Sequence, residues 1–533
     1  MDSPQTLRVA VRDALEYVSQ QPGVIEAEVF ASANANVTLR LNYTSHIPCN
    51  GVEEPKSVES SGISVRAAFR SYEGTRIGVG SEPSDLTQSG VIRALEKARQ
   101  GAVRDPDFEN LPRPLPSYLL TASGLSEYHD PTLVRLRNSK LLAHGWNMLG
   151  QALDVFQSSE DLLATLERFR SGQPDNSVPA HLRDLGLILG GDLVLLHERI
   201  AIASTSMPQP RNDESTLVMS FATAMVEEMN AKGSGWSVST HLADFDGRSA
   251  ADAAQRAIAS VDGQRAPSGN YRVVLGPQPV AELLEWILLP GLYLDSFHAN
   301  ASPFMGRFGQ QIGSDILRLY DDGASPGLAG SKAITDEGMP TGRTDLISDG
   351  RLVGLLADYY NYRRIMRDRQ GRQKLGVEPA TVERGLLPRN GFRAGNGGGR
   401  DFAAHPSTVP TNLVIEGREE LEREELLRRV GDGIYIGRIW YTYPVNGFTS
   451  GDFSGTVVGD SYVIRDGRLA EPIRPNTLRM NDNMLRVINS IMGIGAERTG
   501  TVRWSSDQVT WAPEIAVGNF GLEEIAEYME NVF

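Results

Sequence analysis

The sequence predicts an α+β protein: an N-terminal α/β unit followed by a strand-rich C-terminal domain. Three observations lead there. Over the first hundred residues, helical and alternating apolar periods succeed one another. A proline-rich stretch at 105–116 (DPDFENLPRPLP) reads as a linker or extended edge. Beyond residue 215, short apolar runs are punctuated by glycine, proline and two Asp-Gly turns. The expected division is 1–115 for the α/β unit, 116–214 for a helical linking segment and 215–533 for the strand-rich domain.

Leu7, Val11, Leu15 and Val18 recur at helical spacing, so a helix is expected over 6–19, stopped by Gln21-Pro22-Gly23. Residues 24–43 alternate loosely and suggest two strands joined near Asn34–Asn36. A loop over 48–61 leads to a strand at 62–71, then a segment punctuated by Gly74, Gly78 and Gly80, then a helix at 87–103. Within 133–170, Leu142, Trp146, Leu149, Leu153 and Phe156 fall on one helical face. Two strands are expected around Gly190-Gly191, and a hairpin over 215–241 turning at Ala231–Gly235. An alanine-rich helix at 249–260 follows.

The most informative segment is 271–295, YRVVLGPQPVAELLEWILLPGLYLD. Tyr271–Leu275 reads as a buried strand, and Gly276-Pro277 breaks it. A helix is expected from Val280 to Leu289, with Pro279 in its first turn and Pro290-Gly291 ending it. Further on come a short helix near 309–319, Asp-Gly hairpins at Asp349-Gly350 and Asp466-Gly467, and a last helix over 483–492. Residues 416–430 alternate Glu and Arg at i,i+4 spacing and read as a solvated helix face.

Composition narrows the function. Lys and Arg number 52 against 67 Asp and Glu, a net charge of −15, which argues against a nucleic-acid partner because phosphate binding needs clustered cations. Cys49 is the single cysteine, so an intramolecular disulfide and a cysteine-based zinc site are both excluded. It reads as a bland loop or core residue. The apolar run from Trp286 to Leu294 falls far short of the roughly 20 residues that span a bilayer, and the N-terminus shows no apolar leader core. A cytoplasmic protein without membrane association is expected.

Reactive motifs are sparse. His197-Glu198 is the one His-Glu pair, but Ala201 stands where a zinc helix needs its second imidazole, and the flanking residues favour a strand. The eight histidines offer no pair at helical ligand spacing; His298, just past the central helix, is a candidate groove residue. Gly395–Arg400 fits neither a phosphate loop nor a dinucleotide fingerprint and reads as a flexible surface turn. No Gly-x-Ser-x-Gly elbow frames a serine nucleophile.

Four stretches resemble the TldD/PmbA family, the so-called modulators of DNA gyrase, which includes metallopeptidase subunits. They are 271–291, SPFMGRFGQQIGSD at 302–315, 334–364 with its ITDEGMPTGRTDLISDGRLVG, and GIYIGRIWYTYPVNGFTSGDFSG within 433–473. The N-terminal hundred residues resemble the family's α/β domain more weakly, and segments near 116–185 and 365–385 look like additions. The resemblance implies that TldD-type relatives carry His-Glu-x-x-x-His on the central helix and bind zinc there, with a C-terminal cysteine. This sequence has Glu285, Trp286 and Pro290 at those three positions. The match is therefore to the PmbA (TldE) type, with no metal or other cofactor and no catalytic residue of its own expected. The implied partner is a TldD-type zinc peptidase subunit, as a heterodimer, or a second copy, with a peptide as substrate. A stand-alone enzyme with an unrecognised site and a non-enzymatic peptide-binding maturation factor stay open as alternatives. Whether Glu285 faces a cavity or solvent is likewise open, with the solvated position favoured.

Overall fold

A computed structural model describes residues 3–47, 51–72, 74–119, 125, 128–172, 181–395, 399–502 and 508–526. Cys49 and part of the glycine-rich turn, 396–398, lie outside these residues.

Strict alternation builds the first sheet. In Val24–Thr44 the odd-numbered residues from Ile25 to Tyr43 are apolar, and the even-numbered ones from Asn34 to Asn42 are polar. The odd face packs beneath helices Pro4–Ser19 and Gln88–Gln100 at one end, burying Ala27, Val29, Ala31 and Ala33. At the other end Leu39 and Leu41 pack with helices Asn138–Ser158 and Ser249–Ala259. Among the described residues the sheet has seven strands. Its path runs Gly74–Pro83, Lys56–Ser71, Val24–Thr44, Leu187–Ser204, Arg211–Val226, Ala231–Ser239, all antiparallel. The boundary expected at 115 thus falls between two hydrogen-bonded parts of one sheet, and the one expected at 214 falls inside its strand Arg211–Val226.

Several expected breaks are absent, for a shared reason. Val24–Thr44 is one strand through Asn34–Asn36, and Leu187–Ser204 is one strand through Gly190-Gly191. The asparagines face inward: Asn34 donates to the Arg400 carbonyl at 2.7 Å and lines a cavity. The hairpin turns at Glu227–Asn230, with Asn230 at φ +47, rather than at Ala231–Gly235. Gly233 and Gly235 lie within the strand because the helix Ser249–Ala259 passes so close that a Cβ would meet its carbonyl oxygens at 2.2 and 2.1 Å. On Asn138–Ser158 the buried stripe is Leu141, Gly145, Met148, Leu149, Ala152 and Phe156, while Trp146 is exposed. The strand expected at 62–71 starts earlier, at Lys56. No helix forms at 309–319; glycines at positive φ (Gly306, Gly309) bend the chain into the strand Leu317–Asp322. The charge run shortens to a helix at Arg423–Val430. Glu425 and Arg429 pair at 3.8 Å, whereas Arg423 turns to Glu514 at 3.5 Å. Both Asp-Gly turns are present, each with two successive positive φ values.

The second sheet has thirteen strands among the described residues. Its organiser is the long strand Val509–Glu524, which pairs with four others. It runs antiparallel to Gly269–Leu275, Leu478–Asn483 and Ile491–Val502, and parallel to Asn412–Gly417. Helix Pro277–Leu283 and its continuation fill the core beneath.

Buried ion pairs join the first sheet to the C-terminal part. Arg400 reaches Asp213 and Asp336, each at 2.7 Å, and Arg393 reaches Glu28 at 3.1 Å, a carboxylate that Arg66 of the same sheet also holds at 2.7 Å. Lys332 pairs with Glu198. The expected surface turn at Gly395–Arg400 therefore ends on one of the most deeply buried cations in the protein.

Candidate functional site

Strand Gly269–Leu275 ends at Gly276, whose N–H donates to the Ile436 carbonyl. Pro277 and Pro279 then start the helix, where a missing N–H costs nothing. The helix is α-form only over Pro277–Leu283. Leu284–Leu288 is a π turn, with the Leu289 N–H donating to the Leu284 carbonyl, and Leu289–Leu292 is 3-10. The cause is Pro290: it has no N–H for the carbonyl of residue 286, and its ring crowds that carbonyl. Such single widened turns frequently mark functional sites.

The widened turn carries Glu285 and Trp286 to the wall of a cavity of about 920 Å³, in the upper part of the ~300–1,000 Å³ range of ligand pockets. Glu285 is buried and accepts from Thr510 Oγ1 at 2.5 Å. The expectation of a solvated Glu285 is thus corrected: the π turn rotates it inward. Trp286 is 40% exposed. The opposite wall is the even face of the first sheet, including Asn34, Asn36, Thr38, Leu196 and Met219.

Aromatic rings packed around Arg438 also line the cavity. Arg438 lies 5.3, 6.0 and 5.8 Å from the ring centroids of Phe221, Trp236 and Trp440. It donates to Thr223 Oγ1 at 2.8 Å and to Ser234 Oγ. Burial lowers its pKa, and burial raises that of nearby Asp460 to about 6. Glu282, also on the wall, is pushed up by burial and bonded to Gln278 at 2.5 Å. Next to Trp440 the strand Arg438–Pro444 bulges, and Tyr441 sits at φ +55 and is mostly exposed. A bulky residue in left-handed backbone is costly and clusters at binding sites.

The central helix does not fit a zinc ion. Of Glu285, Trp286 and Pro290, the residues expected at the motif positions, only Glu285 has a side-chain metal-donor atom, and it is engaged by Thr510. Trp286 offers an indole, and Pro290, partly buried, offers a carbonyl that accepts from Ser296. Among the described residues Glu285 belongs to no cluster of three His, Cys, Asp or Glu donors. His298 is not at the cavity. It is buried beside Tyr359–Arg367, with Nε2 3.2 Å from the Asn361 carbonyl and its pKa lowered by burial to about 4. Its sequence position suggested the groove, but the turns after Pro290 carry it into the core.

Sequence reasoning missed Arg438, Trp236 and Phe221. The aromatic density of Trp440-Tyr-Thr-Tyr443 was the available signal. It also missed that His129 and His197, far apart in sequence, come together; they lie on the helix-covered face of the first sheet, away from the cavity.

Comparisons with known proteins agree with this architecture. Residues 268–523 match the family model of the PmbA/TldA metallopeptidase C-terminal domain. The chain is 28% identical over 253 residues to the metalloprotease slr0863 of Synechocystis, taking in 45% of this chain and 46% of that protein. It is 28% identical over 230 residues to the metalloprotease TldD homolog of Haemophilus influenzae, covering 43% and 42%. The chain thus spans under half the length of these curated relatives. In fold it is similar to a proposed modulator of a DNA gyrase from Thermotoga maritima, with a TM-score of 0.72, 18% identity and coverage of 96% and 99%. TldE from Thermococcus kodakarensis also scores 0.72, at 14% identity and coverage of 96% and 100%. Residues 268–523, organised around the widened helix, are thus similar to the PmbA/TldA metallopeptidase C-terminal domain, and the chain shares the fold of these solved relatives.

Proposed function

We propose that this protein is a TldE-like subunit that holds no zinc on its central helix and works with a TldD-type zinc peptidase in cleaving or maturing peptides. One observation carries the reading: Glu285 and Trp286, two of the three residues aligned by resemblance with the zinc motif, line the wall of a 920 Å³ cavity, and the third, Pro290, has no side-chain donor. A site that lost its imidazoles but kept its cavity suits binding rather than bond cleavage. The apolar rings of Phe221, Trp236 and Trp440 would take peptide side chains, and the even-face asparagines would hydrogen-bond an extended backbone. A cytoplasmic location is part of the same proposal; no described helix is long and apolar enough to cross a membrane.

The test is co-expression with a TldD-type subunit, followed by peptidase assays on the complex and on each chain alone. A stable complex more active than the TldD-type chain, with no cleavage by this chain alone, is expected. Peptide cleavage by the isolated chain that is abolished by Arg438→Met would overturn the reading in favour of an independent enzyme.

A further inference from the structure

The first sheet carries a second cluster of donors, remote from the cavity. His197 and Glu214 come from neighbouring strands, and their side chains share the helix-covered face with Leu195 and Val218. His197 Nε2 lies 2.8 Å from Glu214 Oε1. His129 Nε2 lies 3.3 Å from the same oxygen, yet it makes no hydrogen bond and is shielded from solvent. The two imidazole rings are 5.8 Å apart and tilted by 32°.

His129 does not reach this position on a loose loop. The strap Tyr128–Asp130 is fastened along the strand Arg211–Val226 on both sides. Tyr128 donates to Asp213 at 2.7 Å, the Asp130 N–H donates to Thr216 Oγ1 at 2.7 Å, and the Thr216 N–H donates to the Tyr128 carbonyl at 3.3 Å. Asp130 also accepts from the Leu242 N–H at 2.9 Å. Fixing three donors in advance is what a metal site requires of its protein.

From this we infer that His129, His197 and Glu214 form a binding site for a borderline divalent cation of the zinc, cobalt or nickel class. Two imidazoles and a carboxylate are the donors such ions favour. Bonds of about 2.1 Å in a tetrahedron put donors roughly 3.4 Å apart, so the observed 2.8 and 3.3 Å need only a small opening. All three donor atoms lie within 4.8 Å of one another. The ion would give His129 Nε2 the partner it lacks. Neither the central helix nor its motif positions take part.

The experiment uses the full chain, expressed without a histidine tag and stripped with chelator, then titrated with Co²⁺ and separately with Zn²⁺. Visible absorption reports Co²⁺ coordination and calorimetry reports stoichiometry. One equivalent of each ion is expected to bind, with His129→Gln, His197→Ala and Glu214→Gln each weakening affinity by about 100-fold or more. Glu285→Gln should bind like the wild type. His129 is partly exposed, so its variant tests the site even if His197→Ala fails to fold; circular dichroism checks each. Absence of stoichiometric binding, or binding unchanged in His129→Gln and Glu214→Gln, would overturn the inference. Binding lost only in Glu285→Gln would overturn it too, and would place the metal on the central helix, against the proposed function.

Discussion

Arg400 offers the sharpest test of how the two sheets are held together. Its guanidinium is 3% exposed and donates to Asp336 Oδ1 and Asp213 Oδ2, both at 2.7 Å, and to the Ile334 carbonyl at 2.6 Å. Burial alone would lower its pKa; the fields of Asp336 and Asp213 more than reverse that. Arg400→Met keeps the length of the side chain and deletes the charge, which strands two fully buried carboxylates. Removing one member of a buried pair costs about 3–5 kcal/mol. Asp213 retains the Tyr128 hydroxyl and the Ala333 N–H, and Asp336 retains the Arg393 N–H. Those remaining donors keep the expected loss near 4 kcal/mol rather than double it. Urea unfolding followed by tryptophan fluorescence would read it. Adding Asp213→Asn and Asp336→Asn to Arg400→Met removes the stranded charges and should recover more than half of the loss. The exposed pair Arg93–Glu82 is the control, and Arg93→Met should leave the midpoint near wild type. A loss below about 1 kcal/mol for Arg400→Met, or no recovery in the triple variant, would refute the reasoning.

Two further predictions concern the scaffold. Burial holds His298 at about 4, below the roughly 6.5 of an unfolded histidine, so the folded chain binds fewer protons in between. That contribution is fully present above pH 6.5 and is lost as pH falls to 4; His298→Asn should remove up to ~3 kcal/mol of this acid dependence in urea titrations at pH 4.5 and 7, and an unchanged slope would contradict it. Gly80→Ala would put a Cβ 2.1 Å from the Ala94 carbonyl oxygen of the packed helix, so a destabilisation of about 1–3 kcal/mol is expected in thermal unfolding. Gly101→Ala, whose nearest neighbour is 3.4 Å away, should stay within about 0.5 kcal/mol, and equal effects would refute the packing argument.

Wherever one local rule acted alone, the sequence was readable. The helix at 4–19, the strand ending at Leu275 and both Asp-Gly hairpins follow from periodicity and turn chemistry. Reading failed where a residue served a distant neighbour. Asn34, Asn36 and Gly190 look like turn residues, but the asparagines line a cavity that residues beyond 270 complete. Gly233 and Gly235 look like a turn because the helix they admit lies further along the chain. At the central helix the residues at the motif positions were legible, whereas their orientation was not. Pro290 was read as a stop, and its effect on the turn before it decides that Glu285 points inward. His129 and His197 meet only because the Tyr128–Asp130 strap crosses a strand laid down 80 residues later, and no spacing rule sees that.

The strand Val509–Glu524 sets the order in which the chain can assemble. Gly269–Leu275 emerges from the ribosome early, yet its antiparallel neighbour is made only after residues 276–508. At about 5–20 residues per second that interval is roughly 10–50 s. Through that time the edge of Gly269–Leu275 that Val509–Glu524 will occupy stays unpaired, and that of Asn412–Gly417 does so over the shorter synthesis of 418–508, each open to pairing with another nascent chain. Folding of the second sheet is therefore governed by synthesis and by contacts of long sequence separation, and holdase chaperones have their natural window before the last strand arrives.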